Sequence, residues 1–414
     1  MNVLHANCAG LDVHKDTVVA CWRCMAPGAA VVEEIATFGT STSELLRLGD
    51  WLTERGATTA AMESTGVYWK PVWHLLEDRL ALMLVNAQHI KQVPGRKTDV
   101  RDCQWMAHLL SVGLLSPSFV PPAPIRELRD LTRLRAQCTS DRARLANRLQ
   151  KVLEDANLKL ASVASDPLGK SGQAILDALI AGQTDPEQLA DLALGHLKRK
   201  RGALAEALRG RVTDHHRFML AFELRRWREA GEDVARLDER IEAAMAPFAR
   251  QAAKLEKVTG LAKRSVQVVI AEVGVDMRQF FDDAHLASWA GACPGNHESA
   301  GKRRSGRTGH GNRWLMAVLN QAAWAAGRSQ GTYLGERFRH WLRRRGGKKA
   351  AVAMSHLLLR IIWHLLADAE LEFEERGAQA FLAADAERLR RSLVARLERL
   401  GLEVSVAPRE AVAA

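Results

Sequence analysis

Four carboxylates and one hydroxyl are the residues of this chain whose types and spacing suit chemistry on a phosphodiester. Asp12 lies inside the apolar run of GLDVHKD, where a carboxylate is costly unless a cation pairs with it. Glu63 follows the apolar run in MESTGVYW. Asp99 and Asp102 in KTDVRD stand three apart at a helix start, which puts both on one face. Four acids at strand ends and on one helix face are what two Mg²⁺ ions need. Hard oxygen ligands hold such ions about 3.5–4 Å apart, where they stabilise the attacking and leaving oxygens of a phosphodiester. Taken singly, each acid has a plainer reading. Asp99 alone is a charge favoured by the helix dipole, Glu63 alone a strand-end surface acid, and Asp16 a turn residue facing solvent.

Ser299 sits in the glycine-rich basic loop NHESAGKRRSGRTGHGN. Its hydroxyl reads as flexible, exposed and surrounded by cations, which would stabilise a pentavalent phosphorane, and small neighbours let a DNA backbone approach. Ser305 is the rival hydroxyl, and a serine in such a loop is also an ordinary turn residue. His297 beside Glu298 reads as a loop hydrogen-bonding group. Cys21-x-x-Cys24 is not a zinc half-site: no second pair occurs at zinc spacing, and both cysteines fall within a strand pattern.

The elements that must position these groups follow from the hydrophobic pattern. CAGLDV, VVACWRC and IATFGT read as three strands, TTAAMES as a fourth and ALMLVN as a fifth. A helix over roughly 43–55 is capped by Ser41 or Thr42, with Glu44 in its first turn; a second, VYWKPVWHLLEDRL, is interrupted or started near Pro71, and a third runs from about Asp99 through WMAHLLSVGLL. This is an α/β layout with a mixed sheet over 1–120, closed by the Pro-rich SPSFVPPAP.

A helical assembly domain is expected over 121–255. Leu131, Leu134, Cys138, Leu145, Leu149 and Val152 form one stripe, interrupted by Asp141 and Arg142. Leu220, Trp227, Val234, Ile241 and Phe248 fall at a spacing of seven. They read as the core of a coiled coil or long bundle helix, paired as an antiparallel hairpin or a dimerisation arm. Over 256–370, VTGLAKRSVQVVIAEVG has the look of half a helix-hairpin-helix that could present N–H groups to phosphate. The tail, 371–414, reads as a peripheral helix.

Composition and charge narrow the partner. The 414 residues carry a net charge of +11, with ordinary apolar and charged fractions that exclude wholesale disorder. Residues 1–120 hold 10 basic and 12 acidic side chains, whereas 302–349 hold 13 Lys or Arg against the single acid Glu336. Such a patch on a near-neutral body points to a polyanion, nucleic acid before an acidic membrane. Trp314, Trp324, Tyr333, Phe338 and Trp341 within it offer stacking surfaces. The cations placed on nucleic acid are Lys302, Arg303, Arg304, Arg307, Arg313, Arg343, Arg344, Arg345, Lys348 and Lys349. No uninterrupted apolar run of membrane-spanning length is seen and the N-terminus lacks a signal layout, so the expectation is a cytoplasmic protein with no membrane partner, associated with the nucleoid when bound. The six scattered cysteines do not form a disulfide framework.

GLDVHKD, MESTGVYW, GRKTDVRD and CPGNHESAGKRRSGRTGHGN, in that order, resemble the DEDD-type bacterial insertion-sequence transposases, the family numbered one-hundred-and-ten and its eleven-eleven subgroup, over roughly 5–365. The resemblance implies a RuvC-like, RNase H-type N-terminal domain, a coiled-coil middle, and a mainly helical C-terminal transposase domain. It makes Asp12, Glu63, Asp99 and Asp102 the acids that hold Mg²⁺, with two ions per site, and Ser299 the nucleophile. It further implies a noncoding guide RNA from the element's own end, DNA of element ends and target as substrates, and a homo-oligomer, dimer or tetramer. Two other readings stay open. One is a RuvC-like hydrolytic nuclease or protein-only transposase in which the serine is not catalytic. The other is a nucleic-acid-binding scaffold with degenerate acids.

Overall fold

The computed structural model describes residues 4–25, 30–64, 66–86, 102–295, 297–299 and 302–406, with the main chain alone at 297–299 and 302–305. The chain divides into two compact units, Met1–Val120 and Pro121–Ala414.

In the first unit, β1 (Asn7–Val13), β2 (Thr17–Cys24) and β3 (Val32–Gly39) form an antiparallel meander. Then α1 (Thr42–Glu54) leads to β4 (Thr59–Glu63), and α2 (Trp69–Leu76) to β5 (Ala81–Val85). β4 pairs parallel to β1, and β5 parallel to β4, giving the order β3-β2-β1-β4-β5. All five expected strands are present. The α1 N-cap is Ser41, whose hydroxyl accepts from the Glu44 N–H, satisfying a donor that the helix start leaves open. Ala9, Leu11, Ala60 and Met62 bury one sheet face under α1 and α2, together with Leu45, Leu48, Val72 and Leu76. The alternate residues Cys8 and Ala61 turn to the other face, covered by α3 (Asp102–Ser111) through Trp105, Met106, Leu109 and Leu110. Cys21 and Cys24 are both free thiols, and their odd spacing in β2 sends them to opposite faces.

Among its described residues, the second unit has helices and one hairpin as its regular elements. α4 (Ala123–Asp155) and α9 (Asp214–Met245) run antiparallel, tied by Arg135–Asp238 near one end and His216–Asp155 at the other. Leu145, Leu149, Leu220, Val234 and Ile241 are buried, so the spacing of seven does mark core. The polar interruption has a physical cause. The Arg142 guanidinium stacks over Trp227 at 4.1 Å, and Gly231 leaves room for it, since a Cβ there would lie 3.2 Å from the guanidinium carbon. The first half of the α4 stripe is corrected: Leu134 is 47 % exposed, and Thr132 and Arg135 are buried instead. Arg135 is drawn inward by Gln267 at 2.6 Å and Asp238 at 2.8 Å.

Between the long helices, α5 (Leu160–Val163), α6 (Lys170–Ile180), α7 (Pro186–Asp191) and α8 (Arg201–Ala207) close a small core on Leu149, Leu153, Leu220 and Leu224. Beyond α9 come α10 (Ala249–Glu256), α11 (Lys263–Val273), α12 (Asp283–Trp289) and the hairpin β6 (His297–Ser299)–β7 (Lys302–Ser305). α13 (Arg313–Arg328), α14 (Tyr333–Arg345), α15 (Gly347–Ala367) and α16 (Gly377–Glu398) follow. α10 and α11 flank a turn at Gly260, which has φ +97° and lies so near α13 that a Cβ would sit 2.4 Å from the Ala322 carbonyl.

α15 is long and apolar enough to cross a membrane by length and composition, although Ser355, His356 and Arg360 interrupt its apolar run. Its Ala350, Met354, Leu358, Leu359 and Ile362 are buried inside this unit. The tail helix is less peripheral than expected, because Phe381 is buried against Tyr333 and His340 of α14.

Candidate active site

The parallel pairing of β1 with β4 decides where two of the acids fall. The register runs Cys8–Thr59, Ala9–Ala60, Gly10–Ala61 and Leu11–Met62. One step further on, Asp12 stands beside Glu63, on adjacent strands about 4.8 Å apart. Both lie at the carboxyl edge of the parallel strands, where open α/β sheets place ligand sites. Both alternate with Leu11 and Met62, so they share the face of Gly10 and Ala61. Glu63 also pairs in register with Val85, which belongs to the core under α3.

α3 sits on that same face, and Gly10 is the reason it comes so close. A Cβ at Gly10 would lie 2.1 Å from the Cys103 carbonyl and 2.6 Å from the Ala107 nitrogen. Asp102, the first residue of α3, adjoins Cys103. The contact therefore brings Asp102 to the strand segment that carries Asp12, two residues past Gly10. Asp12 is partly buried and accepts from His14 Nε2 at 3.1 Å; Asp102 is exposed. Asp99 lies outside the described residues. The donors are hard carboxylate oxygens and so fit a divalent ion in kind. Among the described residues, however, no three acidic, histidine or cysteine side chains converge closely enough to hold one. Beneath the acids the sheet is apolar, and burial pushes the Cys8 thiol up to about 11 and that of Cys21 to about 12.

In the second unit, Ser299 is the last residue of β6 and pairs in register with Lys302, while Glu298 pairs with Arg303 and His297 with Ser305. The flexible glycine-rich loop expected there is corrected at these positions to a short antiparallel hairpin. Pro294 bridges to Thr308, and the Gly295 N–H donates to the Arg307 carbonyl, closing the base of the loop. After Gly311 comes Asn312, whose side chain caps α13 by accepting from Trp314 and Leu315 N–H groups, both at 3.1 Å.

Asn312 leads to a residue that the sequence reading missed. Glu272 of α11 is fully buried, and its carboxylate accepts two 2.7 Å bonds from Arg133 and one of 2.6 Å from Asn312 Nδ2. Arg129 adds bonds to the Ala271 and Glu272 carbonyls at 3.0 and 2.8 Å. One carboxylate thus joins α4, α11 and the end of the serine loop. A buried acid survives only when paired and hydrogen-bonded. The signal was a lone Glu in VVIAEVG, the same kind that singled out Asp12.

Of the cations expected to meet nucleic acid, Arg343, Arg344, Arg345, Lys348 and Lys349 are exposed around the corner where α14 turns through Gly346 into α15. Arg307 and Arg313 are also exposed, Arg313 lying over Trp314 at 4.8 Å. Lys302, Arg303 and Arg304 lie in β7. Phe338 is corrected from a stacking surface to core. It is 2 % exposed, packed on Trp324 with ring centres 5.2 Å apart, and a Cβ at Gly327 would meet its ring at 2.2 Å.

A mixed sheet with acids at its carboxyl edge, followed by a mostly helical remainder, fits a RuvC-like DEDD domain, and comparison with known families agrees. A family model for a DEDD transposase of the IS110 type matches residues 9–158, and a second, described as "Transposase IS116/IS110/IS902 family", matches residues 252–339. These define a DEDD transposase, an enzyme that cleaves and joins DNA. The chain belongs to the IS110 family of insertion-sequence transposases. No curated protein matches the chain.

Proposed function

We propose that this transposase cuts and rejoins DNA through a serine–phosphodiester intermediate, using Asp12, Glu63, Asp99 and Asp102 to hold Mg²⁺ and Ser299 as nucleophile. The observation that carries the reading is the β1–β4 register, which sets Asp12 beside Glu63 on the face that α3 covers with Asp102 at its start. Two Mg²⁺ ions bound there would supply Lewis-acid stabilisation of charge at the scissile phosphate. The carboxylates fix the position of that phosphate. Ser299 Oγ, from another copy of the chain, attacks phosphorus and forms an Oγ–P bond as the P–O3′ bond breaks; the serine proton is released and the 3′ oxygen gains one. The bond energy stays in the phosphoserine ester, so the reverse attack by a new 3′-hydroxyl rejoins strands without hydrolysis.

The domains serve this chemistry in a division of labour: 1–120 for the acids, 121–255 for assembly of a dimer or tetramer, and 256–370 for the serine and the cations. Arg343 to Lys349 and the β7 cations track phosphates of DNA or of an element-encoded guide RNA. The Gly260 turn serves as half of a helix-hairpin-helix toward the backbone, and the protein works at the nucleoid.

The test is a cleavage assay with Mg²⁺, the element's flanking RNA and a labelled junction substrate, comparing the unaltered chain with Ser299→Ala. A covalent protein–DNA adduct that disappears in Ser299→Ala supports the reading. Cleavage that persists in Ser299→Ala, with no adduct in either protein, replaces it with a hydrolytic RuvC-like nuclease.

A further inference from the structure

We propose that Arg250, Lys254 and Lys257 form a second phosphate-backbone site for nucleic acid, and that the acidic segment 368–375 occupies it in the free protein as a built-in competitor. These three cations lie on and just after α10, outside the basic stretch 302–349. The connection from α15 to α16 reads DAELEFEE and carries five acids in eight residues. It is neither helix nor strand. Asp368 folds back to accept from the Glu370 and Leu371 N–H groups at a bend; beyond it, acids alternate at 370, 372 and 374, which in an extended chain is a negative charge about every 6.6 Å.

The acidic segment meets each of the three cations. Arg250 bonds the Glu370 carboxylate at 3.1 Å and the Ala369 carbonyl at 3.2 Å. Lys254, only 5 % exposed, donates to the Asp368 and Ala369 carbonyls at 2.7 and 3.1 Å. Lys257 pairs with Glu372 at 2.7 Å, and the Thr259 hydroxyl donates to Glu375 at 2.6 Å. Glu372 feels all three: the Lys257 bond, then the fields of Lys254 and Arg250, hold its carboxyl below the usual range.

Two exposed ion pairs and the carbonyls that accept from Arg250 and Lys254 hold the segment there. A cavity of about 850 Å³ is lined by Leu371 and Phe373 from the segment and by Arg337, Arg360 and His364 from α14 and α15, and Leu371 is 41 % exposed. Exposed ion pairs contribute about 0–1 kcal/mol each and weaken with salt. A nucleic acid offers the same cations a denser row of charge and releases counterions as it binds. Displacement of the segment by duplex or RNA would uncover Lys254 and lengthen the basic surface toward the Gly260 turn. The inference uses the nucleic-acid partner but not the serine chemistry, so a failed adduct assay leaves it standing.

The experiment is binding of the full chain, without Mg²⁺, to a labelled 30-base-pair duplex and to an RNA hairpin across a salt series. The variant E370Q/E372Q/E374Q is compared with a charge-matched control, E232Q/E398Q/E403Q; Glu375 is kept because it also caps the Tyr333 and Gly377 N–H groups. The expected result is a several-fold gain in affinity beyond the control. The salt dependence should steepen by about two to three in log–log slope. Adding R250Q and K257Q should cancel both. A gain for duplex alone or for RNA alone supports the site and identifies its occupant. No gain over the control, or a gain that survives R250Q/K257Q, overturns the proposal.

Discussion

The two regions that carry the candidate chemistry are positioned by opposite means. The acids of the first unit hang on an apolar scaffold: β1 and β4 are buried on both faces, and the register alone sets Asp12 beside Glu63. The serine hairpin of the second unit leads into a polar knot, in which Asn312 is tied to Glu272 and, through it, to Arg133. An apolar sheet fails gradually when a methyl group is added or lost. A buried ionic knot fails abruptly, since removing one member leaves the rest charged and dry.

The largest expected effect tests the acid side. Asp12→Asn should lower Mg²⁺-dependent strand cleavage by at least about a hundredfold while leaving the thermal midpoint nearly unchanged, because Asp12 is a partly exposed strand-end residue. A matching drop in thermal midpoint would make Asp12 structural.

Next comes the knot. Glu272→Ala should destabilise the protein by about 3–5 kcal/mol, read by denaturant unfolding with a probe in the second unit. Glu272→Gln, which keeps some hydrogen bonds, should cost less. Equal losses for the two would show that charge is unimportant there.

A smaller effect is expected where the two regions can be compared on steric terms. Gly10→Ala should cost about 1–3 kcal/mol through overpacking, since its Cβ would strike the Cys103 carbonyl. It should also reduce cleavage, because α3 and Asp102 must move away from the sheet. Unchanged cleavage at lowered stability would separate Asp102 from the chemistry.

The mildest effect is a pH dependence confined to the apolar sheet. In the folded chain Cys8 and Cys21 keep their protons up to about pH 11 and 12, against an ordinary value of 9.0. Between about pH 9 and 12 the folded state therefore binds more protons than the unfolded one. Stability should fall as pH rises through that window. Cys8→Ala with Cys21→Ala should flatten the fall in a titration of unfolding free energy.

The same contrast explains what could be read from the chain. Strand alternation in CAGLDV and TTAAMES and the cap at Ser41 are local signals, and they gave the sheet and the neighbourhood of Asp12 and Glu63. The long-range facts were silent. Nothing near Glu272 in sequence announces Arg133, 139 positions away, or Asn312, 40 positions away. The exposure of Leu134 and the burial of Arg135 follow from packing on α11, which a helical stripe cannot encode. Phe338 was likewise misread because an aromatic among arginines looks the same in sequence whether it faces solvent or Gly327.

The α4–α9 pair can be viewed mechanically. At 33 residues and 1.5 Å per residue, α4 is a lever about 50 Å long. A tilt of about five degrees at its base moves the far end by about 4 Å. The base is where Arg129 and Arg133 grip Glu272, which in turn holds the residue that ends the serine loop. The distal knob of small helices packs on the far end of this lever through Leu149 and Leu153, so one rigid arm spans from that knob to the Glu272–Asn312 knot.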